Sequence, residues 1–268
     1  MQTFDTATSL IPRGNNQCDW TVPDGWQQGR GAWGGLVIGA LIKAVVAAEP
    51  DSTRMLRSIA ANIVAPAVVG EHVVTATLVR RGSAVSTWSA SVVDATGAVV
   101  ATAFVLLGAS RSLTDAPEFR SWQLLEMPIA PPWETLEVVD ASGLGPAFFQ
   151  HLSPRVVSGI PMEGGRPEVL GWIDYREPVQ PSAASLVSLA DGWWVAGLVA
   201  MPQMRPIATI SFAANLLVEP STLAAGEPLL HHAFVSGAAD GYTSEHRRLW
   251  TSDGRLAVDN VQSVVIIA

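Results

Sequence analysis

The chain has 268 residues, 49% of them hydrophobic and only 15% charged, with a formal net charge of −8. That composition excludes a disordered chain, and the absence of any Lys/Arg run longer than two excludes the basic stripe that a nucleic-acid partner needs. A single cysteine, Cys18, excludes an internal disulfide and any Cys-based zinc cluster, and reads as a lone thiol.

The segment Met1-Gln2-Thr3-Phe4-Asp5 lacks the basic-then-apolar pattern of a signal peptide. Residues 3–12 and 18–22 read as strands. Gly29-Arg30-Gly31-Ala32-Trp33-Gly34 matches G-x-G-x-x-G, but the turn-like Val22-Pro23-Asp24-Gly25-Trp26 stands where a dinucleotide site needs a buried strand. The better reading is a close chain approach at a helix N-terminus, where free N–H groups can hold a carbonyl oxygen or an oxyanion. Residues 34–48 are apolar on nearly every face, which predicts a helix buried all round. They include Lys43 and are too short to span a bilayer, so the protein is expected to be cytoplasmic, with no membrane partner.

Strands are expected over 55–66, 70–80, 84–94 and 98–108, joined by connections too short for crossover helices and therefore antiparallel. Residues 110–147, rich in Pro, Asp and Ser, read as a linker between a first unit (1–109) and a second (148–268). Residues 148–176 supply the second unit's first strands. A helix over about 182–200 follows, then strands over about 206–219, 227–237, 242–251 and 255–267.

The two units say nearly the same thing. Ser58-Ile59-Ala60-Ala61-Asn62 returns as Ser211-Phe212-Ala213-Ala214-Asn215, Gly70-Glu71 as Gly226-Glu227, and the turn ending in Gly97 as the one ending in Gly254. A repeat occurring once means two similar half-domains rather than a solenoid. One buried helix wrapped by a curved antiparallel sheet describes the hotdog fold. The fold class expected is therefore α+β, a tandem (double) hotdog with two antiparallel sheets, each wrapping a long apolar helix. Set edge to edge, the two would make one continuous sheet, with a pocket between the helices.

What differs between the halves is the functional clue. Aligned on the Leu-Val steps of the helices, Asp191 falls on Leu41. Aligned on the Ala-Ala-Asn strands, Thr209 falls on Leu56. Aligned on the hairpin glycines, Gln262 falls on Val105. A carboxylate within an apolar helix is costly unless hydrogen-bonded, and Thr and Gln are neutral partners able to satisfy it and hold a water. The bland alternative is that Asp191 breaks the helix before Gly192 while Thr209 and Gln262 face solvent. The five histidines show no metal-ligand spacing, so no metal or other cofactor is expected, and the chain has no G-x-S-x-G nucleophile turn.

At these residues the chain resembles the acyl-CoA thioesterase II family, the double-hotdog thioesterases. The matching segments are Leu189-Ala190-Asp191-Gly192, Ile207-Ala208-Thr209-Ile210, Gly254-Arg255-Leu256-Ala257-Val258-Asp259-Asn260-Val261-Gln262 and the helix start Trp33-Gly34-Gly35. The family's Asp-His-x-x-Trp-Phe-His is replaced by Ser211-Phe212-Ala213-Ala214-Asn215-Leu216, and its acidic residue after the last Gln by Ser263. The resemblance implies hydrolysis of an acyl-CoA or related thioester in fatty-acid metabolism, with Asp191 as general base and Thr209 and Gln262 orienting the water. Backbone N–H groups at Gly34 and Gly35 are expected to polarise the thioester oxygen, and Trp33, Trp193 and Trp194 to line the acyl pocket. A non-catalytic acyl or acyl-CoA binding protein, an enoyl-thioester hydratase and assembly into a homo-oligomer stay open.

Overall fold

The hinge of the architecture is a strand pair in which the repeat meets itself. In the computed structural model, which describes residues 2–111, 114–116, 122–140 and 145–267, strand β5 (Arg54–Ile63) lies antiparallel to β11 (Ile207–Leu216). Ala60 faces Ala213, Ser58 faces Asn215 and Asn62 faces Ser211. Each pair exchanges repeat-equivalent residues, so a pseudo-twofold axis runs through the Ala60–Ala213 pair.

From this seam the sheet grows outward in both directions. On one side lie β8 (Val99–Ala109), β7 (Val85–Asp94), β6 (Gly70–Arg81), β2 (Gln17–Val22) and β1 (Ile11–Gly14). On the other lie β14 (Leu256–Ile266), β13 (Tyr242–Trp250), β12 (Leu229–Ala239), β10 (Glu168–Ile173) and β9 (Arg155–Ser158). The two sequences of neighbours mirror one another. The result is one 12-stranded antiparallel sheet, not two sheets each wrapping its own helix. The two expected sheets are joined edge to edge into this one, because the paired β5 and β11 leave no free edge between the halves. A two-stranded ribbon, β3 (Gln27–Gln28) and β4 (Gly31–Ala32), stands apart and leads into the first long helix.

The strands fall where the hydrophobic alternation places them, but the first segment does not. Residues 4–7 form a short helix, α1 (Phe4–Ala7), because the Thr3 hydroxyl caps the Thr6 N–H while Phe4 and Ala7 turn into the core. Helix α2 (Gly34–Ala48) is as long as its apolar run predicts and is buried for most of its length. Its counterpart is not. Helix α3 (Ala183–Leu189) begins at a Ser182–Ser185 capping box and stops after seven residues, and a single further turn, α4 (Gly197–Ala200), follows.

The expected helix over 182–200 is interrupted because its carbonyls are claimed from outside. Arg247 Nη1 reaches the Ala190 and Trp193 oxygens at 3.2 and 3.5 Å, and Trp33 Nε1 donates to the Asp191 oxygen at 2.8 Å. Those acceptors would otherwise receive helical N–H groups four residues on. The linker is only partly described: 112–113, 117–121 and 141–144 lie outside the described residues. Its Met127, Ala130, Trp133 and Leu136 pack on Trp172, Leu230 and Trp250, covering the outer face of the second half.

Candidate active site

The second half of the sheet carries an inward-facing set of polar side chains that the first half lacks. Glu245 and Arg247 project from β13, Asn260 and Gln262 from β14, and all four are buried. The hairpin registration places their counterparts at Trp88, Ala90, Ala103 and Val105, which are buried and apolar. Strand pairing repeats that equivalence: Glu245 faces Gln262 and Arg247 faces Asn260, as Trp88 faces Val105 and Ala90 faces Ala103.

Thr209 joins them through a bulge. The register of β11 on β14 shifts between Thr209 and Ser211, so Ile210 is the extra residue. Strict alternation back from the inward Phe212 would turn Thr209 outward; the added residue turns it inward. The same bulge recurs in β5, between Leu56 and Ser58, where Leu56 takes the inward position.

Asp191 sits in the turn after α3, buried against the start of α2. Its Oδ2 accepts the Gly35 N–H at 3.0 Å, and its Oδ1 is 3.5 Å from Arg247 Nη1. It thus caps a neighbouring helix that has no side-chain cap of its own. Both glycines are required by this approach. A Cβ on Gly34 would lie 2.6 Å from Asp191 Oδ2, and one on Gly35 would lie 2.3 Å from the Trp33 ring. Burial raises the Asp191 carboxyl above its ordinary value, against the opposing pull of Arg247, the Gln262 amide and the Gly35 N–H, with Glu245 adding to the rise.

The orientation of each amide follows from one main-chain oxygen. Asn260 Nδ2 donates to the Ala213 carbonyl at 2.9 Å, which turns Asn260 Oδ1 toward Gln262 Nε2 at 3.0 Å. Gln262 Oε1 must then face Thr209, whose hydroxyl donates to it at 2.9 Å. The Gln262 amide also favours the ionised form of the Asp191 carboxyl beside it. Asn260, Gln262 and Thr209 thus form one hydrogen-bonded chain with Asp191 beside it, and the hydroxyl proton of Thr209 is committed to Gln262.

The remaining sequence candidates fall around this chain. Gly35 N–H is engaged by Asp191, while Gly34, first in α2, has no helical acceptor for its N–H. Trp33 and Trp193 are buried and Trp194 is half-buried. Trp33 stacks on Phe148 with 5.1 Å between centroids, and Trp193 lies on the His231 imidazole at 5.3 Å. Burial and then the Arg247 charge push His231 well below its ordinary value, so it is neutral. Among the described residues no cluster of three metal-ligating side chains occurs, and no helix is long and apolar enough to cross a membrane.

Glu245, Arg247 and Asn260 were not among the sequence candidates. Charged residues in an alternating strand read as a solvated face. The registration that set Gln262 against Val105 would also have set Glu245 against Trp88 and Arg247 against Ala90.

The fold is shared across its full length with solved structures. A protein of unknown function with a hot dog fold from Alicyclobacillus acidocaldarius is 26% identical over 99% of this chain and 98% of its own, with a TM-score of 0.89. The acyl-CoA thioesterase II of Mycobacterium marinum is 17% identical over 99% and 98%, with a TM-score of 0.78. A dehydratase domain from Pseudomonas fluorescens has the same fold at a TM-score of 0.56, 12% identity and 94% coverage of each chain, so the fold by itself does not choose between hydrolysis and dehydration. No curated protein matches the sequence. Residues 22–108 match the model of the acyl-CoA thioesterase N-terminal domain and residues 123–266 that of the C-terminal domain. With both of its halves matched in order, the chain belongs to the acyl-CoA thioesterase family.

Proposed function

We propose that the protein hydrolyses an acyl-CoA thioester to the free acid and CoA, with Asp191 as general base toward a water. The observation that carries this reading is the committed polarity of the chain from Asn260 to Thr209. Because Thr209 donates to Gln262, its oxygen can only accept from a water. The Asp191 carboxylate accepts the water's other proton. Both protons of the water are then directed, and its lone pair is left for the thioester carbon. As the oxygen–carbon bond forms, the proton passes to Asp191, and it leaves with the thiolate sulfur as the carbon–sulfur bond breaks.

A carboxylate kept above its ordinary pKa by burial is a stronger base than one in water, which favours the transfer. The Gly34 N–H, at the positive end of α2, is the donor proposed for the thioester oxygen, while Gly35 holds the base. Of the three tryptophans, Trp194 keeps exposed surface and is proposed to meet the acyl chain. Trp33 and Trp193 back the turn that carries Asp191.

The test is release of thiol from acyl-CoAs of graded length, read with a thiol-reactive dye. Asp191→Asn keeps the shape and the contact to Gly35 but removes proton acceptance, and it should cost about 10²–10⁴-fold in rate. Thr209→Val and Gln262→Ala should each cost less, since they orient the water without taking its proton. Undiminished hydrolysis by Asp191→Asn would remove it from the mechanism. Tight acyl-CoA binding without hydrolysis by the native protein would point to a binding protein.

A further inference from the structure

The chemistry above leaves a buried ion pair unused. Arg247 Nε lies 2.8 Å from Glu245 Oε1, and both side chains are at most 1% exposed. Taking two charges out of water is costly, and apolar residues of similar size commonly serve stability at least as well. The first half demonstrates the alternative at the equivalent positions, with Trp88 and Ala90. The pair is also fully tied into the turn that follows α3. Glu245 Oε2 accepts the Ala196 N–H at 2.9 Å, and Arg247 Nη1 reaches the Ala190 oxygen at 3.2 Å and Asp191 Oδ1 at 3.5 Å.

We propose, on the reading of Asp191 as the base, that Arg247 is its positioning residue: braced by Glu245, the guanidinium faces Oδ1 and holds the carbonyls of the turn, which fixes the carboxylate's aim. Ala196 is held by Glu245 at one end of the turn and Ala190 by Arg247 at the other. Asp191 between them is free to rotate only as far as Gly35 and Gln262 allow.

The charge balance around Asp191 gives this arrangement a signature. From β13 it is faced by Arg247 and Glu245, from β12 by the neutral His231, from β14 by the uncharged Gln262 and Asn260, and from β11 by Thr209. The start of α2 contributes the Gly35 N–H and no titratable side chain. Arg247 favours the ionised carboxylate and Glu245 opposes it. The base works only when ionised, so activity falls on the acid side as Asp191 takes up a proton. Removing Arg247 moves that limb to higher pH, and neutralising Glu245 moves it to lower pH.

The experiment is the pH dependence of kcat/KM for acyl-CoA hydrolysis by the full chain, native and variant. Arg247→Met should lose about 10²-fold on the plateau, the scale of a misplaced catalytic group, and its acid limb should lie above the native one. Arg247→Lys should restore most of the limb's position and less of the rate. Glu245→Gln, whose single amide oxygen can still accept from the Ala196 N–H while the Arg247 Nε–H loses its acceptor, keeps the Arg247 charge and should shift the limb the opposite way. Arg248→Met is the control, since Arg248 points to the outer face and pairs with Asp259; its profile should match the native one. If Arg247→Met fails to fold by near-ultraviolet circular dichroism, Glu245→Gln still decides, because a merely structural pair gives loss of rate without movement of the limb. Limbs that coincide with the native one, or that move in the same direction in both variants, overturn the proposal. If they do so while Asp191→Asn is inactive, the base reading stands and only the role of Arg247 falls. Full activity in Asp191→Asn would bring down both.

Discussion

Asp191 carries two duties that pull against each other. As a cap it offers negative charge to the N-terminus of α2, which is favourable. As a buried carboxylate beside Glu245 it is held above its ordinary pKa. In the unfolded chain the group titrates near 4, and in the fold it titrates higher. Between those two values the folded chain binds more protons than the unfolded one, so stability falls as pH rises through the window. The ionised form is therefore a cost at neutral pH that the protein carries for a reason other than folding. Asp191→Asn should melt at a higher temperature than the native protein at pH 7, with the gap closing below about pH 4, where the native group is also neutral. A lower melting temperature at pH 7, measured by calorimetry, would mean that the cap outweighs the burial.

At the scale of elements, the first half keeps its buried charge at the far end of its helix. Glu49 ends α2 and accepts from Arg81, Ser86 and Trp88 Nε1, the last at 3.1 Å. Burial alone would raise this carboxyl, but those hydrogen bonds outweigh it and bring the group down to about 2. Here the sign is reversed. The stabilisation is present above pH 4.5 and is lost as pH falls toward 2. Glu49→Gln should lower stability by about 1–3 kcal/mol at neutral pH, the scale of charged buried hydrogen bonds. Urea titrations at pH 7 and pH 3 should show the loss shrinking in acid. The contrast between α2 and α3 also marks what sequence alone can convey. The apolar run of residues 34–48 predicts its helix because the outside groups that engage its backbone, Asp191 and Ser188, meet it only at its first turn. The run over 182–200 looks as helical, yet its carbonyls go to Arg247 and Trp33, which lie far away in the chain. Thr209 and Gln262 were legible because an apolar counterpart in the repeat exposed them. Arg247 and Glu245 were not, since a charged pair in a strand reads as surface until its partners across the turn are known.

For the whole molecule, the seam at Ala60 and Ala213 follows from the repeat itself, because β5 is nearly its own complement. A chain cut to residues 1–109 presents an unpaired β5 whose natural partner has almost the same sequence. Two such halves should associate through antiparallel β5 strands, with Ser58 against Asn62 of the second copy. Sedimentation should report a dimer, and a monomer that stays soluble would contradict the self-complementary seam. Fold, duplication and the joining of the halves into one sheet were thus written in the sequence, while the two strands that meet at the seam had to be seen in the pairing. The apolar counterparts of the polar chain have one further consequence. Leu41, Leu56 and Val105 fill the first half's version of the site with buried hydrocarbon. A symmetric pair of hotdogs would own two reaction centres, one for each helix start. On the proposed reading this chain owns one, built from the α2 N–H groups of its first half and the acceptors of its second. Titration with a non-hydrolysable acyl-CoA should therefore saturate at one molecule per 28.3 kDa chain. Any cooperativity in turnover should then arise between chains, because the proposal places a single site in each.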